Sequence, residues 1–293
     1  MLPLINPLTP QNAMIDLHIH STASDGSFSP REVAHLGKAA GLTVMALTDH
    51  DAASGVADFL DETQRLGILG IPGIELSAEV PFGQLHLVGL GFNYKDPTLQ
   101  AKFEKMLNGR EARNEAMLQA FQDNGIDLTL AEVKAFAGED LVSRVHFAQA
   151  LIQRGLVADL AEAFEKYLGK GALCYRDRFR YTPQQCIEMI TAAGGMVIMA
   201  HPLSLTTDWE TLESTIIAYK ALGLRGIECF YSTYDTETTL TLLRIAKRHN
   251  LLPSVASDFH GAPKPTIHLG QLPVSVELKT LLTDTLLALP GMQ

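Results

Sequence analysis

The 293 residues are 46% hydrophobic and 19% charged, which supports a folded core, and no run of 18 apolar residues is present to span a bilayer. Formal net charge is −10, from 23 basic and 33 acidic residues. That excess of acid argues against a grip on extended duplex nucleic acid but permits a short phosphorylated substrate held by a few arginines. Three cysteines, Cys174, Cys186 and Cys229, have no CxxC spacing, so they form neither a disulfide framework nor a thiolate zinc site and point to a cytoplasmic chain with thiols in its core.

Residues 1–13 carry three prolines and no Lys or Arg, lack the pattern of a secretory signal, and are read as an N-terminal extension outside the fold. Residues 15–19 predict a strand. Ser29 and Glu32 form a capping box with Pro30 at the first helical position, and Gly41 stops that helix. TVMALT at 43–48 is apolar on both faces, as a buried parallel strand is. A helix over 54–66 and strands over 68–80 and 84–92 follow.

From 97 to 170 the pattern is helix after helix, including 108–124, 143–154 and 159–168, and predicts a helical insertion subdomain. Alternation resumes at Thr182-Pro183. Strands over 196–200, 226–230 and 252–256 alternate with helices over 209–222 and 236–250. Residues 14–96 and 171–293 are therefore expected to form one α/β domain, a parallel sheet or barrel with helices outside.

Six of the ten histidines fall in strands or just past strand ends, where parallel α/β folds assemble their sites. His18-Ile19-His20 places both imidazoles on one strand face, and Asp258-Phe259-His260 repeats that geometry. His50 follows the second strand within Thr48-Asp49-His50-Asp51, Glu75 and His86 sit on the next two, and His201-Pro202 follows 196–200. Burying these groups together with Asp25 without a cation would cost several kcal/mol each, on the order of a buried charge, and metal coordination removes that cost. Imidazole and carboxylate without thiolate suit Mn, Fe or Zn.

The ordered set HxH–x4–D, TDH, GIE, HLVGLG, AHP and SDFH resembles the PHP (polymerase and histidinol phosphatase) family over residues 14–92 and about 182–262. The insertion, with Ser143-Arg144-Val145-His146-Phe147 and Lys166-Tyr167-Leu168, resembles the subgroup of ribonuclease AM and the 3′,5′-nucleoside bisphosphate phosphatases. The resemblance implies a distorted seven-stranded (β/α) barrel with two to three divalent ions at its mouth. It implies that His18, His20, Glu75 and Asp258 hold one ion, Glu75, His86 and His201 a second, and Asp25, His50 and His260 a third. It further implies phosphoester hydrolysis by a hydroxide between the ions, with Glu75 and Asp25 catalytic.

Arg144 and Arg178 are candidates for contacting the phosphoryl oxygens, and His146 for aiding substrate binding. Arg144 is expected to start a helix capped by Ser143. If 175–180 is extended, Arg176, Arg178 and Arg180 present a row of guanidiniums. Asp49 and Asp51 either orient the histidines or cap a turn. Leu203-Ser204 stands where nucleotide-acting relatives often carry Gly-Arg. The expected substrate is a small nucleotide such as a 3′,5′-bisphosphonucleotide, or short 5′-phosphorylated RNA. The rivals are an amidohydrolase-type C–N hydrolase, a histidinol-phosphate-type phosphatase, and a non-catalytic domain of the same family.

Overall fold

The structure, a computed structural model, describes residues 14–137, 142–271 and 275–289; the expected extension over 1–13 lies outside them. Seven strands follow one another in the sheet in chain order: β1 (Ile15–Ile19), β2 (Val44–Leu47), β3 (Leu69–Ala78), β4 (Leu85–Leu90), β5 (Met196–Met199), β6 (Gly226–Tyr231) and β7 (Leu252–Ala256). The sheet curls until the exit from β7 meets β1. Asp258 N–H donates to His18 O at 2.9 Å and His20 N–H to Phe259 O at 2.9 Å. The result is a nearly closed seven-stranded α/β barrel, as the resemblance implied.

One strand departs from the parallel reading. β4 is antiparallel to both β3 and β5. Only residues 79–84 separate β3 from β4, too few for a crossover helix, so the chain must turn back. Gly83 in that turn has φ 61°, and a Cβ there would stand 1.9 Å from Leu205 O. Glycine alone meets both conditions without strain.

The chain divides into two compact units, the described residues of Met1–Ala101 with Tyr181–Gln293, and Lys102–Arg180. In the first, α1 (Pro30–Ala39) opens with the expected capping box. Ser29 Oγ accepts from Glu32 N at 3.3 Å, and Glu32 Oε2 accepts from Ser29 N at 2.8 Å. α2 (Val56–Leu66) stops at Gly67 in the left-handed conformation. Val33, Phe59, Met45 and Leu47 pack between these helices and the sheet.

The helix expected over 108–124 begins earlier, as α3 (Pro97–Asp123), because Asp96 Oδ1 accepts from Leu99 N at 2.9 Å and caps it. α4 (Leu130–Ala137), α5 (Arg144–Gln153) and α6 (Leu160–Ala163) follow, and Phe164–Leu168 continues as a π-turn rather than as one regular helix. The core of the second unit gathers Met117, Phe121, Phe147, Leu151 and Leu168.

The first unit resumes with α7 (Pro183–Ala192), capped by Thr182 and Gln185, then α8 (Trp209–Ala221), α9 (Thr236–Arg248) and α10 (Val276–Leu287). Leu278, Leu282 and Leu286 recur every fourth residue on α10 and pack with Ile15, Val44 and Leu252 at the strand starts. They fill one end of the barrel, and the strand C-termini are left at the other. All three cysteines are buried and free. Among the described residues no helix is long and apolar enough to cross a membrane.

Candidate metal centre

β1 delivers His18 and His20 to one face, as its period of two requires, and both are fully buried. His50 follows β2, His201 follows β5, and Asp258 and His260 follow β7. Glu75 lies inside β3. His86 is the second residue of β4, and the reversal of that strand brings its start to the end where the parallel strands finish. Asp51, His201 and Asp258 have φ of 56°, 23° and 56°, a left-handed backbone rare outside glycine. Three such residues beside one cluster mark a place where local strain is held by its surroundings.

Glu75 stands at the centre. Its Oε2 lies 3.3 Å from His18 Nε2 and 3.3 Å from His20 Nε2, while Oε1 lies 2.9 Å from His201 Nε2 and 2.8 Å from His86 Nδ1. Asp258 Oδ1 is 3.4 Å from His20 Nε2 and 3.7 Å from His18 Nε2. Asp25 approaches His260 Nε2 at 3.2 Å and His50 Nε2 at 3.8 Å. All nine of the expected ligands are thus brought together. Three overlapping groups have donor atoms close enough to share an ion: His18, His20 and Glu75; His50, Glu75 and His86; and His20, Asp25, His50 and His260.

Hydrogen bonds behind the cluster assign the histidine tautomers. His18 Nδ1–H donates to Glu228 Oε1 at 2.7 Å, and His260 Nδ1–H to Asp258 O at 2.9 Å. His201 Nδ1–H donates to Ser204 Oγ at 2.9 Å, and that hydroxyl in turn donates to Gln84 O at 3.0 Å. His20 Nδ1 faces Ser24 Oγ at 3.4 Å, whose proton goes to Asp49 Oδ1 at 2.5 Å. In all four, Nε2 is left bare and aimed at a carboxylate. His18 Nε2 and His20 Nε2 also face each other at 3.0 Å. His50 Nδ1 is 2.9 Å from Glu75 Oε2, yet out of line for a hydrogen bond. Bare imidazole nitrogens pressed against carboxylate oxygens repel unless a cation or proton lies between them, so this donor set fits divalent ions.

The charges respond as that crowding dictates. Burial would raise Glu75, but His50, His18 and His86 hold its carboxyl well below the usual range. Burial would likewise raise Asp25 and Asp258, and neighbouring histidines bring both well below it. Burial would lower His50, but Glu75 and Asp25 raise it to about 9. Burial and the neighbouring His260 push His20 down to about 4.

Several site residues escaped the sequence reading. Buried Glu228, on β6, accepts from His18 and also from His201 N at 2.6 Å. Tyr231 Oη donates to Asp258 Oδ2 at 2.5 Å, and Lys264 Nζ reaches the same oxygen at 2.5 Å. A cavity of about 350 Å³ opens beside them, lined by His50, Glu75, His86, His201 and Tyr231. The signal for Glu228 was a lone acid inside the otherwise apolar strand 226–230. Asp49 ties down the loop after β1, accepting from Ser21 N at 2.8 Å, and Asp51 accepts from Ser77 N at 2.9 Å.

In the second unit Arg144 starts α5, and Ser143 is its N-cap residue as expected. His146 Nδ1, three residues on, accepts from Ser143 N at 3.1 Å in the capping box. Arg144 donates to Leu168 O at 3.1 Å, and its guanidinium lies 5.6 Å from the centre of the Tyr175 ring. Arg180 turns back to Asp177 Oδ1 at 2.6 Å and Arg176 bonds to Tyr175 O at 2.7 Å, which leaves Arg178 half-buried between them in sequence.

A model of the PHP domain matches residues 16–174 of the chain. The chain belongs to the PHP domain family. This PHP chain is 36% identical over 256 residues to a 5′-3′ exoribonuclease of Haemophilus influenzae, covering 87% of the chain and 93% of the relative. It is 32% identical to a 3′,5′-nucleoside bisphosphate phosphatase of Chromobacterium violaceum over 249 residues, 85% of the chain and 87% of the relative. A solved structure of an amidohydrolase from Chromobacterium violaceum, with bound sulfate and no metal, superposes with a TM-score of 0.81 at 31% identity, covering 92% of the chain and 96% of that protein. The PHP chain is accordingly a metal-dependent phosphoric ester hydrolase of this family.

Proposed function

We propose that the protein removes phosphate from, or cleaves, a small nucleotide such as a 3′,5′-bisphosphonucleotide or a short 5′-phosphorylated RNA. The observation that carries this reading is the set of bare imidazole nitrogens converging on the two oxygens of Glu75. His18, His20, Glu75 and Asp258 would hold one ion, Glu75, His86 and His201 a second, and Asp25, His50 and His260 a third. Mn, Fe and Zn all suit these donors. Bound divalent ions would supply an activated water and offset charge on the phosphoryl oxygens. Glu75 keeps its carboxylate ionised in burial, and Asp25 does the same beside His260. Arg144 and Arg178 bind phosphate oxygens of the substrate, with His146 holding the start of α5 in place. The buried free thiols suit a reducing cytoplasm.

The names of the relatives support nucleotides and RNA ends as the substrate class. A C–N hydrolase of the amidohydrolase type is less well supported. Such sites commonly bridge their ions with a strand-borne lysine, whereas Glu75 occupies that place here and Lys264 pairs with Asp258. The test is a panel with Mn²⁺: 3′,5′-bisphosphonucleotide, short 5′-phosphorylated RNA, histidinol phosphate, an aryl phosphate and a dihydropyrimidine amide. Turnover on either nucleotide substrate well above histidinol phosphate is expected. Turnover confined to the amide would overturn the reading.

A further inference from the structure

The cavity beside the ion ligands is larger than the chemistry at the ions requires. Its volume of about 350 Å³ lies within the roughly 300–1,000 Å³ of small-ligand pockets and is far more than one phosphoryl group fills. The candidate ligands form one wall. Leu203, Tyr231 and Tyr234 also line the cavity, and none of these three is a candidate ligand. They come from two segments, the short turn after β5 and the end of β6 with the turn into α9. Tyr234 N–H donates to Tyr231 O at 3.0 Å, and this turn sets the two rings side by side, 4.9 Å apart and tilted by 53°.

Both rings are held before any ligand arrives. Tyr231 Oη donates to Asp258 Oδ2 at 2.5 Å, and Tyr234 Oη accepts from Leu203 N at 3.2 Å. Rings already fixed lose little freedom on binding, so the contacts they make are not offset by ordering. The Tyr231 ring also lies 5.6 Å from the ring of His201, so the aromatic wall begins beside a candidate ligand. Among the described residues lining the cavity, Lys264 is the one Lys or Arg, and its ammonium pairs with Asp258. With that charge balanced, the wall offers little to a second phosphate. It suits a flat, neutral group with π faces, and a nucleobase is such a group.

We propose that Tyr231 and Tyr234 form a stacking subsite for the base of the nucleoside that is ester-linked to the reacting phosphoryl group. The subsite makes the organic part of the substrate, and not only its phosphates, a determinant of selectivity. Naming the ligand a nucleoside ester rests on the proposed function; the aromatic wall itself does not.

The test uses the full chain with Mn²⁺ and a matched pair of substrates, 2′-deoxyadenosine 3′,5′-bisphosphate and its analogue with the base replaced by hydrogen. The two carry the same phosphates, so the ratio of their kcat/KM values reads the base alone. The parent should favour the adenine member by about tenfold or more, the worth of one base–aromatic stack. Tyr234→Ala should bring that ratio towards one, mainly by raising KM for the adenine member, whereas Tyr234→Phe, which keeps the ring and drops the hydroxyl, should hold it. Loss of a merely structural tyrosine would lower both members alike. A parent ratio near one overturns the proposal without any variant, and so does a Tyr234→Ala chain that keeps the parent ratio. If the parent hydrolyses neither member, the proposed function fails, and the same pair is titrated by calorimetry. A base preference in affinity that Tyr234→Ala removes then still supports the subsite, and equal or undetectable affinities overturn it.

Discussion

At the scale of single residues the site depends on which atom each histidine turns inward. Glu228 fixes His18 with Nδ1 protonated, and removing its carboxylate frees the ring to present the wrong nitrogen. Glu228→Gln is expected to weaken metal affinity by about 10- to 100-fold, read by competition with a chelating dye. Unchanged affinity would reduce Glu228 to packing. Glu75→Gln should lose at least one ion and most of kcat, since one carboxylate oxygen faces each pair of histidines. Normal metal content and turnover in that variant would remove Glu75 from its bridging role. The histidines and Glu75 were legible in the sequence because strand period and strand ends place them without knowledge of packing. Glu228, Tyr231 and Ser204 were not, because each acts through a partner far away in the chain, and a lone Glu, Tyr or Ser carries no spacing.

Among the elements, the hairpin from β3 to β4 decides whether His86 reaches the cluster. An all-parallel sheet would have put the start of β4 at the other end of the barrel. The strand was legible; its direction was not, because an apolar run reads the same in either sense, and only the shortness of 79–84 distinguishes them. Gly83→Ala forces a Cβ onto Leu205 O and a side chain into the left-handed region. It should cost about 1–3 kcal/mol in denaturant unfolding, with metal affinity falling as His86 is displaced. A stability change within about 0.5 kcal/mol, the range of ordinary surface substitutions, would show that the turn relaxes freely. The start of α1 needed no such context: Ser29 and Glu32 three residues on are a local signal, and that capping box formed.

For the whole molecule, the cluster couples stability to protons when no metal is bound. Burial opposes the ionised carboxylates Asp25, Glu75 and Asp258, but the histidines win and depress them, so their contribution is present above the ordinary carboxylate range and is lost as pH falls. His50 is raised to about 9, so its contribution is full below its unfolded value of roughly 6.5 and is lost as pH rises through about 9. The metal-free protein should therefore lose thermal stability from about pH 7 to 9.5, and saturating Mn²⁺ should flatten that decline by replacing the protons. A metal-free Tm that is level across this range would contradict the charge arrangement. The most direct measurement of the central claim is metal content against turnover on one sample. The purified protein should carry two to three equivalents of Mn, Fe or Zn, lose hydrolysis of a 3′,5′-bisphosphonucleotide on chelation, and regain it on return of Mn²⁺. Full hydrolysis by protein shown to be free of metal would contradict the account.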